Sequence, residues 1–295
     1  MPFQLFARNQ KHLNCWMRPK LPILIVVAIL LTFHALFAQA QIHYGSNNGK
    51  YLMIFNKRIY YEEYGQGTPL ILLEGGMKSI SDFSLCIPEL SKHFRVIAPD
   101  DPGQGRSEML DTMTYDLLAE YVSKLIDLLR LDSAYVMGWS DGGIAGLILA
   151  ARRPEKIKRL IASGANYTKS GYIGSDSITN DSLQLLPPDY RFSPEDQKWA
   201  DEYFIANKSG WRKIINDRIV MWHEEYCFPK ELFNQIHIPV LLVFGDRDII
   251  KSEHGLEMHR LIKGSQFCVL PNTSHAVFTE KPELIDKIAL DFFSK

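Results

Sequence analysis

Gly138-Trp139-Ser140-Asp141-Gly142-Gly143 follows the apolar run Ala134-Tyr135-Val136-Met137 and opens an amphipathic stretch that reaches Arg152. A serine placed where a buried strand gives way to a helix is the context that a G-x-S-x-G pattern requires. The glycines answer a steric demand. A serine on so tight a turn holds strained backbone, and the residues two before and two after it must lack bulk for the chain to pass. The turn also sets Ser140 at a helix N-terminus, whose dipole and free N–H groups favour a developing oxyanion. The bland alternative is a glycine-rich turn with no chemistry, and residues elsewhere in the chain argue against it.

Short continuous apolar runs recur on both sides of this stretch, at residues 70–73, 96–98, 134–137, 160–162, 240–244 and 267–270. Runs of that kind mark strands buried on both faces. Amphipathic segments lie between most of them, as at 115–129 and 143–152, so strand and helix alternate and a mostly parallel sheet wrapped by helices is expected. Upstream, residues 51–55 and 58–64 read as a hairpin turned at Asn56-Lys57, and the last segment, 283–293, carries Leu284, Ile285, Ile288, Ala289 and Phe292 at helical spacing. The rhythm breaks over about 166–236, which mixes polar turns with Tyr190, Trp199, Tyr203, Phe204, Trp211 and Trp222. An insertion of that length between core strands predicts a helical cap, because structureless loops this long are rare in compact domains.

Two residues complete a nucleophilic set with Ser140. Asp248, in Gly245-Asp246-Arg247-Asp248, lies just past the carboxyl end of the run 240–244, where the loops of an open parallel sheet form a crevice. Asp246 is its rival, closer to the strand end and able to bond its own turn. His275 follows the run 267–270, again at the carboxyl edge, and the chain order Ser, Asp, His fits the elbow pattern. The other histidines past the N-terminal segment, His43, His93, His223, His237, His254 and His259, fall in expected helices, turns or the cap. His254 and His259 are five apart on a helix, so their side chains diverge and no metal site is expected.

These residues make the chain similar to the α/β-hydrolase superfamily from Lys50 to Lys295. Gly-Trp-Ser-Asp-Gly-Gly resembles the elbow of the biphenyl-hydrolase-like and valacyclovir-hydrolase group, and Asp100-Asp101-Pro102-Gly103-Gln104-Gly105-Arg106-Ser107 resembles the D-x-x-G-x-G-x-S loop that follows the family's fourth strand. The resemblance implies an eight-stranded, mostly parallel sheet with a helical cap, catalysis by Ser140, Asp248 and His275, and no cofactor. It also implies an oxyanion hole of backbone N–H groups from Gly76 and Asp141. One departure stands out: where the family carries His-Gly, this chain has Glu74-Gly75-Gly76. Glu74 either pairs with a nearby cation or brings a second acid to the mouth of the site. Asp141 has two readings, one as a cap of the following helix and one as a recognition group for cationic, amino-bearing substrates. Trp139 joins it as a candidate substrate contact.

Bulk properties narrow the partners. The chain has 295 residues, 46% hydrophobic and 23% charged, with a formal net charge of −1, so nothing marks a polyanion-binding surface and a small-molecule substrate is expected instead. Arg8, Lys11, Arg18 and Lys20 precede an apolar run over 21–37 and then Ala38-Gln39-Ala40, the layout of a secretory signal peptide ending near residue 40. The alternative is an uncleaved membrane anchor at 21–37; both place the enzyme outside the cytoplasm. Cys86, Cys227 and Cys268 show no metal or disulfide spacing. The expected chemistry is hydrolysis of a carboxylic ester or activated amide through an acyl-enzyme on Ser140. Carbon–carbon bond hydrolysis and cofactor-free haloperoxidase chemistry use the same triad and stay open, as does a ligand-binding module with little turnover.

Overall fold

The computed structural model describes residues 42–47, 49–174, 185–224 and 227–295. The signal peptide or anchor expected over residues 1–40 lies outside them. Among the described residues no helix is long and apolar enough to cross a membrane.

Eight strands form one sheet: β1 Lys50–Ile54, β2 Lys57–Tyr64, β3 Pro69–Leu73, β4 Arg95–Pro99, β5 Ala134–Trp139, β6 Ile157–Ser163, β7 Val240–Gly245 and β8 Gln266–Leu270, in the order β1-β2-β4-β3-β5-β6-β7-β8. Strand β2 runs antiparallel to both of its neighbours, and every pairing from β4 to β8 is parallel. The chain winds outward from β3 to β4 in one direction and from β5 to β8 in the other. The crevice beyond the carboxyl ends of β3 and β5 is therefore the topological switch point, where such sheets bind ligands.

Alternation along the strands builds a core on each face. Ile71, Leu73, Val136, Leu160 and Leu242 join one cluster, under α2 (Tyr115–Leu128) and α3 (Asp141–Arg152). Leu70, Leu72, Met137, Ile161 and Val243 join the other, under α1 (Ile87–Leu90) and α8 (Pro282–Phe293). Helix α2 starts where it does because the Thr114 hydroxyl accepts from Leu117 N, satisfying one of the first-turn donors.

Three local expectations need correction. Ile54 pairs with Lys57, so the hairpin turns at Phe55-Asn56, not Asn56-Lys57; both turn residues have positive φ (52° and 58°), which matches the twist of the flanking strands. Among the described residues strand β8 pairs only with β7 and is an edge, with Val269 39% exposed, so it is not buried on both faces. In α8 the inward stripe is Ile285, Ala289, Phe292 and Phe293, and Leu284 turns outward.

The connection from β6 to β7 carries α4 (Pro194–Tyr203) and α5 (Trp211–His223). Ala200, Phe204, Ile214 and Ile215 form a small core of their own, against which Met77 and Met109 pack from the loops after β3 and β4. This connection therefore rests on the rim of the crevice. The remaining helices are α6 (Ser252–Leu261) and α7 (Val277–Glu280).

Candidate active site

Ser140 sits between β5 and α3 with φ 53° and ψ −116°, conformational strain that its surroundings must hold. Its N–H donates to Ser163 O (2.7 Å), and Gly142 N donates to Glu74 O (3.1 Å), so the turn is tied to β6 and to the loop after β3. A Cβ on Gly142 would lie 2.4 Å from Leu73 O, and one on Gly138 the same distance from Gly142 O, so neither position admits a side chain.

Asp248 and His275 meet as the sequence places them. Asp248 is buried, accepts Ile250 N–H on Oδ1 (3.0 Å) and lies 2.7 Å through the same oxygen from His275 Nδ1. A longer contact runs from Gly245 N to Oδ2 (3.4 Å). Asp246 serves the histidine loop instead: its carboxylate accepts from Asn272 N and Thr273 N, both at 2.9 Å, and these backbone donors hold its pKa below the usual carboxylate range. Ser140 and His275 line one cavity of about 180 Å³, with Gly76, Trp139, Tyr172 and Trp222. No Ser140–His275 hydrogen bond closes among the described residues, a looseness common before substrate tightens a site.

Gly76, which lines the cavity, and Asp141, which follows Ser140, have N–H groups with no acceptor among the described residues. The loop bearing Gly76 is held from beneath by Gln104, which is wholly buried. Its Oε1 accepts from Met77 N, and its Nε2 donates to Gly75 O (3.1 Å) and Glu74 Oε1 (2.7 Å).

Glu74 fits neither of its expected roles. It is fully buried, makes no ion pair among the described residues and points under the loop, where Oε1 also accepts Asp101 N–H (2.8 Å). Burial, then the neighbouring Asp100 and Asp101, push its pKa well up. A carboxyl so placed holds an extra proton in the folded state, so its contribution to stability is present below the unfolded value of about 4 and is lost as pH rises through the folded one. Glu74→Gln, which mimics the protonated group, is expected to raise Tm by at least about 3 °C at pH 8 and by less at pH 5, read by scanning calorimetry. An equal shift at both pH values would show that Glu74 is ionised throughout.

The Asp141 carboxylate is taken up by side chains from elsewhere in the chain and not by the N–H groups of the following helix. Oδ2 pairs with Arg218 Nη1 (2.8 Å), Oδ1 accepts from Tyr115 OH (3.0 Å), and Trp222 Nε1 lies 3.1 Å from both oxygens. Arg218, wholly buried on α5, already supplies the cation that an amino-bearing substrate would bring. Trp139 has a double place: it lines the cavity, and its Nε1 donates to His275 O (2.8 Å), fixing the histidine loop. Of the aromatic residues read in the cap, Trp222 lines the cavity; Tyr190 and Trp211 pack against each other, as do Trp199, Tyr203 and Phe204.

His254 Nε2 accepts Tyr167 N–H (3.2 Å) and its ring stacks on Tyr167, and burial lowers its pKa to about 4. It is a neutral packing residue. His259 Nδ1 is spent on Ser265 Oγ (2.9 Å).

Sequence reading missed Gly164. A Cβ there would lie 2.6 Å from His275 Cε1 and 2.8 Å from Nδ1, and its φ is +59°, so the imidazole rests directly on this glycine. A glycine immediately after β6, beside the elbow strand, was the available signal.

The family model described as alpha/beta hydrolase fold matches residues 68–230. The chain belongs to the α/β-hydrolase family. Among curated relatives, the serine hydrolase BPHL of Homo sapiens is 26% identical over 246 residues, covering 80% of this hydrolase and 82% of that protein. The 2-hydroxy-6-oxo-6-(2'-aminophenyl)hexa-2,4-dienoic acid hydrolase of Metapseudomonas resinovorans is 25% identical over 262 residues (80% and 87%). The pimeloyl-[acyl-carrier protein] methyl ester esterase of Neisseria meningitidis is 28% identical over 233 residues (71% and 87%). This α/β hydrolase thus shares its fold with enzymes that cut different bonds, and its substrate must be argued from its own cavity.

Proposed function

We propose that this hydrolase cleaves carboxylic esters of small molecules through an acyl-enzyme on Ser140. The observation that carries the reading is the 2.7 Å His275–Asp248 contact in a cavity shared with a serine held at φ 53°. His275 takes the Ser140 proton as Oγ adds to the ester carbonyl, and the N–H groups of Gly76 and Asp141 receive the oxyanion. The tetrahedral species collapses, and His275 returns the proton to the departing alkoxide. Water, deprotonated by His275, then adds to the acyl carbon, and Ser140 leaves with that proton. Asp248 keeps the imidazole proton on Nδ1 and stabilises the imidazolium.

A fluorophosphonate probe is expected to label the wild-type protein on Ser140, with labelling lost in Ser140→Ala and reduced by at least about a hundredfold in rate in His275→Ala. Folded wild-type protein that neither labels nor turns over short-chain esters would overturn the reading. A second reading, carbon–carbon bond hydrolysis, draws support from the Metapseudomonas resinovorans relative and uses the same triad. Turnover of a 2-hydroxy-6-oxo-dienoic acid in preference to simple esters would favour it.

A further inference from the structure

One lysine side chain lines the cavity, and no step of acyl transfer uses it. Lys78 is the sole lysine or arginine among the lining residues, and no aspartate or glutamate joins it there. Three observations locate its charge. The point that a Gly75 Cβ would occupy lies 3.3 Å from Ser140 Cβ and 3.7 Å from Lys78 Cγ, so serine and lysine stem flank one glycine. Lys78 Nζ then lies 5.1 Å from the ring centroid of Trp139 and 5.9 Å from that of Tyr203. Its carboxylate neighbour, Asp82, is 3.7 Å away, longer than a hydrogen bond, and also accepts Ser79 N–H (3.1 Å).

The ammonium is therefore held by aromatic faces and a loose ion pair, with N–H donors left over, at the edge of a largely apolar cavity. With 35% of its side chain exposed it stays within reach of an incoming ligand. A charge in such a place acts more strongly on an anion than it would in open water.

We infer that Lys78 makes this site selective for esters whose acyl chain ends in a free carboxylate, bound with that carboxylate at Nζ and the ester carbonyl at Ser140. The inference rests on the ester-hydrolase reading and names its substrate class. The cavity of about 180 Å³ suits a short chain. A substrate carboxylate would complete the coordination of Nζ that Asp82 leaves open.

The test compares kcat/KM for monomethyl and dimethyl glutarate in the wild type, Lys78→Met, Lys78→Arg and Lys78→Glu. One charge-assisted hydrogen bond predicts that the half-ester to diester ratio falls about ten- to a hundredfold in Lys78→Met. The ratio should be largely restored in Lys78→Arg and reversed in Lys78→Glu. A purely structural lysine would change both substrates alike and leave the ratio where it was, which overturns the inference.

Calorimetric titration of monomethyl glutarate into Ser140→Ala, with and without Lys78→Met, reads the same contact without turnover. Binding weakened by Lys78→Met supports the anion contact even if the wild type hydrolyses neither ester, a result that would sink the ester reading alone. Equal binding to both proteins overturns the contact even if ester turnover is vigorous.

Discussion

Asp248→Asn is expected to lower kcat for the preferred ester by about three to four orders of magnitude, with KM changing less than about threefold. Both carboxylate oxygens already face donors: Oδ1 accepts Ile250 N–H and contacts His275 Nδ1, and Oδ2 faces Gly245 N–H. An amide therefore sets its NH₂ against a donor in either orientation. Turned toward His275, it drives the imidazole proton onto the nitrogen that must accept the Ser140 proton. Turned toward Gly245, it keeps the useful tautomer but offers no negative charge to the imidazolium. The matched control is Asp246→Asn, whose carboxylate caps the turn at Asn272 and Thr273 and never reaches the imidazole ring. That variant should lose less than about tenfold in kcat/KM, because it loosens the loop without altering the tautomer. Steady-state kinetics on both variants decides the point, and the larger loss in Asp246→Asn would reverse the assignment.

Features written in contiguous residues were legible from sequence, and features assembled across the chain were not. The five runs of the central strands and the elbow at 138–143 announce themselves, because a strand covered on both faces demands apolar side chains on each. The placement of Asp248 and His275 follows from the same rule, since each lies just beyond a run that ends at the crevice. Phe55 is different: an aromatic residue with positive φ is uncommon, so the turn was placed one position late. Leu284 and strand β8 show that an apolar pattern reports what an element can bury and leaves open what its neighbours cover. Asp141 and Glu74 failed for a deeper reason. Besides roles facing the pocket, the sequence offered them local ones, a helix cap or a nearby cation, whereas the partners they take lie far along the chain. Arg218 is 77 residues from Asp141, and Gln104 is 30 from Glu74. Nothing in the spacing of a single sequence states that α5 will deliver an arginine beneath the nucleophile. Lys78 escaped notice because a lone lysine after a glycine pair reads as solvated surface.

Gly164→Ala is expected to cut kcat/KM by about a hundredfold or more while leaving a folded protein. The added methyl would stand 2.6 Å from His275 Cε1 and 2.8 Å from Nδ1, closer than non-bonded carbons approach, and 3.6 Å from Asp248 Oδ2. The backbone has little freedom to yield, since Gly164 N donates to Val243 O (2.9 Å) and the preceding residue pairs within the sheet. His275 must move instead, held on its other side by the Trp139 indole through its carbonyl. A shift of about 1 Å in a general base is enough for a loss of that order. The same substitution places alanine at φ +59°, a left-handed conformation that costs about 1–2 kcal/mol and should lower Tm by a few degrees. The two effects separate experimentally, because the fall in fluorophosphonate labelling rate should far exceed what the fraction unfolded at assay temperature can explain. Labelling and turnover within about threefold of wild type would mean that the imidazole does not rest on Gly164 when it works.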